Sequence, residues 1–148
     1  MVGLLTFADI CPPFPLTEAG LTYHFTKTVA GTMDEVRERV TAALAARGFG
    51  VLTTIDVAAT LKKKLDVAFR PYLILGACHP QSAYRALQAE DKIGTMLPCN
   101  VILQQKAPGA VEVSAVDPVA SMAAIDNPGL AGVAGEVRAL LSQMVESL

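Results

Sequence analysis

The sequence has few charged residues, no surplus of basic residues and no long apolar run. Its 12 lysines and arginines stand against 14 aspartates and glutamates, which gives a formal net charge of −2 and a pI of about 5.6. A chain without a basic surface is not expected to bind nucleic acid or anionic lipid. No stretch approaches the roughly 18 consecutive apolar residues of a membrane-spanning helix, so no membrane partner is expected either.

Common catalytic and cofactor motifs are also missing. The sequence contains no glycine-rich phosphate loop, no H-E-x-x-H, no C-x-x-C and no G-x-S-x-G. It therefore identifies no cofactor and no enzyme class, and it leaves open whether the protein is an enzyme.

The first 20 residues do not have the features of a secretion signal. They lack a basic n-region, contain Asp9 within the apolar stretch and are interrupted by prolines. We expect an irregular N-terminal arm over residues 1–20 and a cytoplasmic protein. Its three cysteines are then expected to be reduced thiols rather than a disulfide framework.

Hydrophobic residues, by contrast, are abundant. They make up 52% of the chain against 18% charged residues, which is apolar for a soluble protein. The surplus apolar surface is best covered by another subunit, so we expect a homo-oligomer. The length suits one domain, which we assign to residues 21–148.

Hydrophobic periodicity predicts five strands. Clean alternation over residues 21–30 indicates a half-buried strand. Further strands are predicted over residues 49–55, 72–78, 100–105 and 110–116. The segment 72–78 is apolar on both faces, which places it inside the sheet.

Capping residues predict the helices between these strands. A capping box at Thr32 and Glu35 opens the first helix. Asp56 and Pro80 open two short helices, the second running to a stop near Gly94, and Pro128 opens the last helix. The order is β-α-β4-α with short inserted helices, an α+β layout with helices stacked on one sheet.

Cys78 and His79 stand where the strand over residues 72–78 meets a helix. A thiolate at a helix N-terminus is stabilised by the helix dipole, so a reactive Cys78 is one hypothesis. The favoured alternative is architectural, because free cysteine is among the most buried residue types. Cys99 precedes another strand, and its spacing from Cys78 matches no zinc pattern, so no metal site is assigned.

Polar residues alternate along three of the predicted strands. His24 belongs to the polar side of the first strand, and Asn100, Gln104, Glu112 and Ser114 belong to the polar sides of the last two. If these strands share a sheet, its open side carries an imidazole, amides, a carboxylate and a hydroxyl. Such a face is a candidate ligand-binding surface, although polar residues on a solvent-facing strand are ordinary.

Several segments resemble one known family. They are YHFTKTV, GFGVLTTIDVAATLKKKL, FRPYLILGACHPQSAYRAL, IGTMLPCNV and AVDP. From about Tyr23 to the C-terminus the chain resembles the bacterial and archaeal domain of unknown function numbered 302. The resemblance implies a TATA-binding-protein-like α+β fold, with a single curved, mostly antiparallel sheet backed by helices. Because members of the family form dimers, it also implies that the expected oligomer is a homodimer.

The family has no settled activity, and its signature segments define the candidate residues. In this sequence they are Arg70-Pro71-Tyr72, Gly76-Ala77-Cys78 and Leu97-Pro98-Cys99-Asn100. Family members often have asparagine after the first cysteine, where this chain has His79, so a mechanism with His79 as general base is not implied.

We therefore predict a small-ligand or partner-binding module. Its candidate ligand-binding residues are His24, Arg70, Tyr72, Cys78, His79, Cys99 and Asn100. One alternative is a thiol-dependent redox or sulfur-transfer protein that uses Cys78 with Cys99. Another is a soft-metal binder built from the same two cysteines.

Overall fold

Five antiparallel strands form one sheet, with strand order β1-β5-β4-β3-β2, in the computed structural model. The model describes residues 22–148, so the arm predicted over residues 1–20 lies outside the described residues. In chain order the strands are β1 (His24–Ala30), β2 (Gly50–Asp56), β3 (Tyr72–Cys78), β4 (Cys99–Ala107) and β5 (Ala110–Val116).

Five helices connect or follow these strands. They are α1 (Met33–Ala45), α2 (Val57–Leu65), α3 (Pro80–Ala89), α4 (Pro118–Ser121) and α5 (Ala131–Glu146). Short 3₁₀ turns span Ile93–Met96 and Pro128–Leu130. The predicted α+β class, with one sheet and a β-α-β4-α order, is confirmed.

The main core lies between one face of the sheet and the helices α1 and α5. The odd-numbered residues of β4 and β5 supply the sheet side, including Leu103 and Val113, which are fully buried. Leu44 of α1 and Leu141 of α5 meet them and are also fully buried. Because side chains alternate along a strand, the even-numbered residues of these strands face the other side of the sheet.

Three predicted boundaries are corrected. β1 begins at His24 rather than at residue 21, because its partner Val116 is the last residue of β5. Beyond this pair the Asp117 N–H donates to the Tyr23 carbonyl over 2.7 Å without continuing the ladder. Helix α3 ends at Ala89 rather than near Gly94, because Glu90 has an extended backbone. The last helix does not open at Pro128: a 3₁₀ turn there precedes α5.

Candidate functional site

The face of the sheet opposite the main core forms a groove of about 530 Å³, which we call the sheet groove. It is floored mainly by even-numbered residues of β3, β4 and β5 and bounded by the start of β1. Its lining residues are Tyr23, His24, Arg70, Tyr72, Asn100, Ile102, Gln104, Glu112, Ser114, Ala115 and Val116. Strand pairing brings them together, since Tyr72 pairs with Gln104, which pairs with Glu112.

A chain of polar side chains crosses one end of the sheet groove. Arg70 Nε donates to Gln104 Oε1 over 2.9 Å, and Gln104 Nε2 donates to Glu112 Oε1 over 3.1 Å. Lys106 Nζ donates to the second oxygen of Glu112 over 3.0 Å. The carboxylate of Glu112 is thus held on both oxygens, and its charge is balanced by Lys106.

Arg70 is the cation of the sheet groove that has no carboxylate partner within residues 22–148. Its guanidinium carbon lies 4.6 Å from the ring centroid of Phe69 and 5.9 Å from that of Tyr72. These rings and the bond to Gln104 fix the plane of the guanidinium. Its two terminal nitrogens have no protein acceptor among the described residues, so they remain available to an anion.

Tyr72 forms part of the wall beside Arg70. Burial raises the pKa of the Tyr72 hydroxyl, and the charge of Arg70 offsets part of that effect. Tyr72 is therefore a neutral hydroxyl at physiological pH, able to donate or to accept a hydrogen bond.

Three hydrogen-bonding side chains form a relay at the other end of the sheet groove. Thr26 Oγ1 lies 2.7 Å from His24 Nδ1 and 2.8 Å from Ser114 Oγ. Thr26 and Ser114 are direct cross-strand partners. The alternation of β1 places His24 and Thr26 on the same face, which makes the relay possible.

A second cavity lies on the helix side of the sheet, between β3, β4, α3 and α5. Its volume is about 30 Å³, and we call it the apolar cavity. Its lining residues are Phe49, Ala77, Cys78, His79, Ser82, Ala83, Ala86, Leu97, Pro98, Cys99, Pro118, Met122, Leu130, Val133, Ala134 and Val137. A space of this size holds a water molecule or two and no organic ligand.

His79 serves as the N-cap of α3. Its Nδ1 accepts from the backbone N–H of Ser82 over 3.4 Å and lies 2.9 Å from Ser82 Oγ. The imidazole packs edge-on against Phe49 with ring centroids 5.3 Å apart. The Nδ1 atom of His79 is thus engaged at the start of the helix and its ring is packed against Phe49, which is the arrangement of a capping residue.

The two cysteines near the apolar cavity are free thiols. Cys99 is buried, and burial raises its pKa to about 11, with a smaller contribution from Cys78. A thiol with so high a pKa is almost wholly protonated at neutral pH and is a poor nucleophile. Cys78 is half-buried at the end of β3, where it pairs with Gly50.

The structure divides the predicted ligand-binding residues between these two places. The sheet groove receives His24, Arg70, Tyr72 and Asn100. The apolar cavity receives Cys78, His79 and Cys99. Cys99 and Asn100 are separated although they are neighbours in the sequence, because adjacent residues of a strand point to opposite faces.

Sequence reasoning left some groove residues out of the candidate set. Gln104, Glu112 and Ser114 were assigned to the polar face but not to the site, and their shared even parity with Asn100 is the signal that groups them. Alternation along the predicted strand over residues 21–30 places Tyr23 with Phe25 and Val29 on the apolar side, yet Tyr23 is 69% exposed and lines the groove. It precedes the strand, so the alternation does not extend to it.

Residues 22–148 show neither a grouped set of metal ligands nor a membrane-spanning helix. No group of three or more histidine, cysteine, aspartate or glutamate side chains in this part of the chain is arranged to hold a metal ion. None of its helices has the length and apolarity required to cross a bilayer.

Comparisons with known proteins agree with the architecture. Residues 25–148 match the model of the family described as domain of unknown function DUF302. The chain is also similar to the crystal structure of an uncharacterized conserved DUF302 protein from Bacillus stearothermophilus, with a TM-score of 0.78 and 29% sequence identity. The similarity covers 85% of this chain and 98% of that one. No curated protein matches the chain.

Proposed function

The chain belongs to the DUF302 family, and from that premise we propose that it is a binding protein for a small organic anion, which it holds in the sheet groove. The observation that carries the proposal is Arg70: a half-buried guanidinium, oriented by Gln104 and two aromatic rings, whose terminal nitrogens have no carboxylate partner in the described chain. Such a planar pair of donors matches a carboxylate or phosphate group.

Cavity size favours the sheet groove over the apolar cavity. Sites for small molecules usually enclose roughly 300–1,000 Å³, and the groove, at about 530 Å³, falls within that range. The apolar cavity, at about 30 Å³, is an order of magnitude too small. Volume and charge therefore favour the sheet groove as the ligand site, and the two cysteines of the apolar cavity are not part of it.

The charge balance of the sheet groove supports an anionic ligand. Arg70 and Glu112 line the groove with one positive and one negative charge. Lys106 does not line the groove but contacts Glu112, so the three side chains together carry an excess of one positive charge. Because Lys106 already pairs with Glu112, that excess resides on Arg70. A partly desolvated cation without a counter-ion attracts an incoming anion more strongly than an exposed one, because less water screens the two charges.

Titration with cinnamate and with the neutral isostere cinnamamide tests the proposal. We expect cinnamate to bind and Arg70→Gln to weaken it by at least about tenfold, the loss typical of a charge-assisted hydrogen bond. Arg70→Lys should fall between the two, because it keeps the charge and loses the planar fork. Arg37→Gln, which removes an exposed arginine from α1, is the control and should bind as the wild type does. Equal affinity for cinnamate and cinnamamide would refute the proposal.

We also propose that the protein's partner is a second copy of the chain. β2 is an edge strand of the described sheet and carries Leu52 and Ile55 at 67% and 48% exposure. Edge strands with exposed apolar side chains readily pair with another chain. Sedimentation should give a dimer for the wild type and a monomer for Leu52→Lys with Ile55→Lys, whereas Val119→Lys should remain dimeric. A monomeric wild type would overturn this part.

A further inference from the structure

The relay of His24, Thr26 and Ser114 is the second polar feature of the sheet groove, and the anion proposal does not use it. Its two outer members, His24 and Ser114, line the groove. Its middle member, Thr26, lies within hydrogen-bond distance of both. Both side chains can therefore offer hydrogen-bond donors or acceptors to a ligand.

With a neutral imidazole, the relay always presents one donor and one acceptor. Thr26 has a single hydroxyl proton. If it donates to His24 Nδ1, the imidazole carries its proton on Nε2, and Ser114 must donate to Thr26 and offers only lone pairs. If Thr26 instead donates to Ser114, then His24 donates from Nδ1 and offers the Nε2 lone pair, while Ser114 keeps a free proton. Either arrangement complements a group that both donates and accepts.

Strand geometry sets the distance between this relay and Arg70. The guanidinium is anchored over β4 at Gln104, which pairs with Glu112, whereas Ser114 pairs with Ile102. One strand spacing and two residues along the strand separate Gln104 from Ser114, which is about 8 Å. One further strand to Thr26 gives about 12 Å. Ile102 lies between the two ends as an apolar floor.

We infer that the ligand is an elongated organic anion whose far end carries a hydroxyl or amide group. Its carboxylate or phosphate binds Arg70, its apolar body lies diagonally over Ile102, and its far end hydrogen-bonds His24 and Ser114. This inference rests on the proposed function, because it takes the anion at Arg70 as given. It adds the length of the ligand and the chemistry of its second end.

The test compares three probes that differ at one end only. Para-hydroxycinnamate has both ends, cinnamate lacks the hydroxyl, and the methyl ester of para-hydroxycinnamate lacks the charge. Phenyl phosphate, added as a fourth probe, distinguishes a phosphate from a carboxylate at Arg70. The variants are Thr26→Val and Ser114→Ala, with Thr28→Val as the matched control on the same face of β1, and thermal melting verifies that each is folded.

We expect para-hydroxycinnamate to bind about fivefold more tightly than cinnamate, as one net hydrogen bond provides. That advantage should disappear in Ser114→Ala, which removes one of the two ligand contacts. It should shrink in Thr26→Val, which leaves His24 and Ser114 without the hydrogen bonds that orient them, and persist in Thr28→Val. Equal affinities of the two acids in the wild type, with binding still dependent on Arg70, would overturn this inference and leave the proposed function standing. Binding of neither acid at millimolar concentration, or binding insensitive to Arg70→Gln, would overturn both.

Discussion

Arg70 Nε donates to Oε1 of Gln104 over 2.9 Å, although the two residues are 34 positions apart in the chain. Gln104 is only 7% exposed, although it lines the open groove of the sheet. Its amide has one end that accepts and one that donates, so it can join the cation of Arg70 to the carboxylate of Glu112 without bringing the two charges into direct contact. This spacing keeps Arg70 available to a ligand.

Replacing Gln104 with glutamate should abolish anion binding while preserving the fold. The change is isosteric, but it places a carboxylate directly against the guanidinium and opposite Glu112. Arg70 then has an internal counter-ion, so we expect the affinity for cinnamate to fall by at least about tenfold. Calorimetric titration measures the effect, and Gln88→Glu on the exposed surface of α3 is the control. Unchanged affinity would show that Arg70 does not bind the anion through its free nitrogens.

Sequence patterns were sufficient to predict which strand residues share the polar face. Alternation along β1, β4 and β5 groups His24, Asn100 and Gln104, and the structure places them together in the sheet groove. The same rule separates Cys99 from Asn100, so one site containing both contradicts the pattern that defined the strand. The order of the strands in the sheet could not be predicted in this way. Periodicity indicates which face of a strand is buried, but it does not indicate which strand lies beside it.

The position of Arg70 could not be predicted from periodicity. It precedes β3, outside any alternating segment, and its role depends on the pairing of Tyr72 with Gln104. That pairing joins residues that are far apart in the sequence, so local patterns do not reveal it. Arg70 became a candidate only through the family signature Arg70-Pro71-Tyr72, which does not indicate which residues it contacts.

The capping role of His79 predicts that asparagine is a good replacement at this position. Asparagine is among the best N-cap residues, and truncating a cap to alanine costs about 1 kcal/mol. We expect His79→Asn to keep most of the stability and His79→Ala to lose about 1–2 kcal/mol, including contact with Phe49. Urea denaturation measures both. If asparagine and alanine were equally destabilising, the cap would not be the function of this side chain.

Adding a single methyl group at Gly76 should greatly reduce the stability of the fold, because the position is crowded. A Cβ at this position would lie 2.2 Å from Thr53 Oγ1 and 2.7 Å from Pro98 Cγ, closer than atoms can approach. We therefore expect Gly76→Ala to reduce the free energy of unfolding by about 2–3 kcal/mol. Gly50→Ala is the matched control, because a Cβ there meets nothing within 4 Å, and its effect should stay within about 1 kcal/mol. Comparable losses in the two variants would mean that the contact between Gly76 and Pro98 is not tight in solution.

The raised pKa of Cys99 should cause a loss of stability at alkaline pH. Burial raises its pKa from 9.0 to about 11 in the folded chain. A thiol that is harder to ionise when folded stabilises the fold fully below pH 9, where it is protonated in both states. Between pH 9 and pH 11 the unfolded chain releases its proton first, so the free energy of unfolding falls as pH rises, by roughly 2–3 kcal/mol in total.

The measurement is the difference in unfolding free energy between wild type and Cys99→Ala across that pH range. Other groups titrate there too, but they are common to both proteins and cancel in the difference. We expect the advantage of the wild type to shrink steadily from pH 9 to pH 11. A constant difference would mean that Cys99 ionises as easily in the folded chain as in the unfolded one. The thiol at the start of β4 would then be able to react near neutral pH, and the hypothesis that pairs it with Cys78 at the end of β3 would be supported.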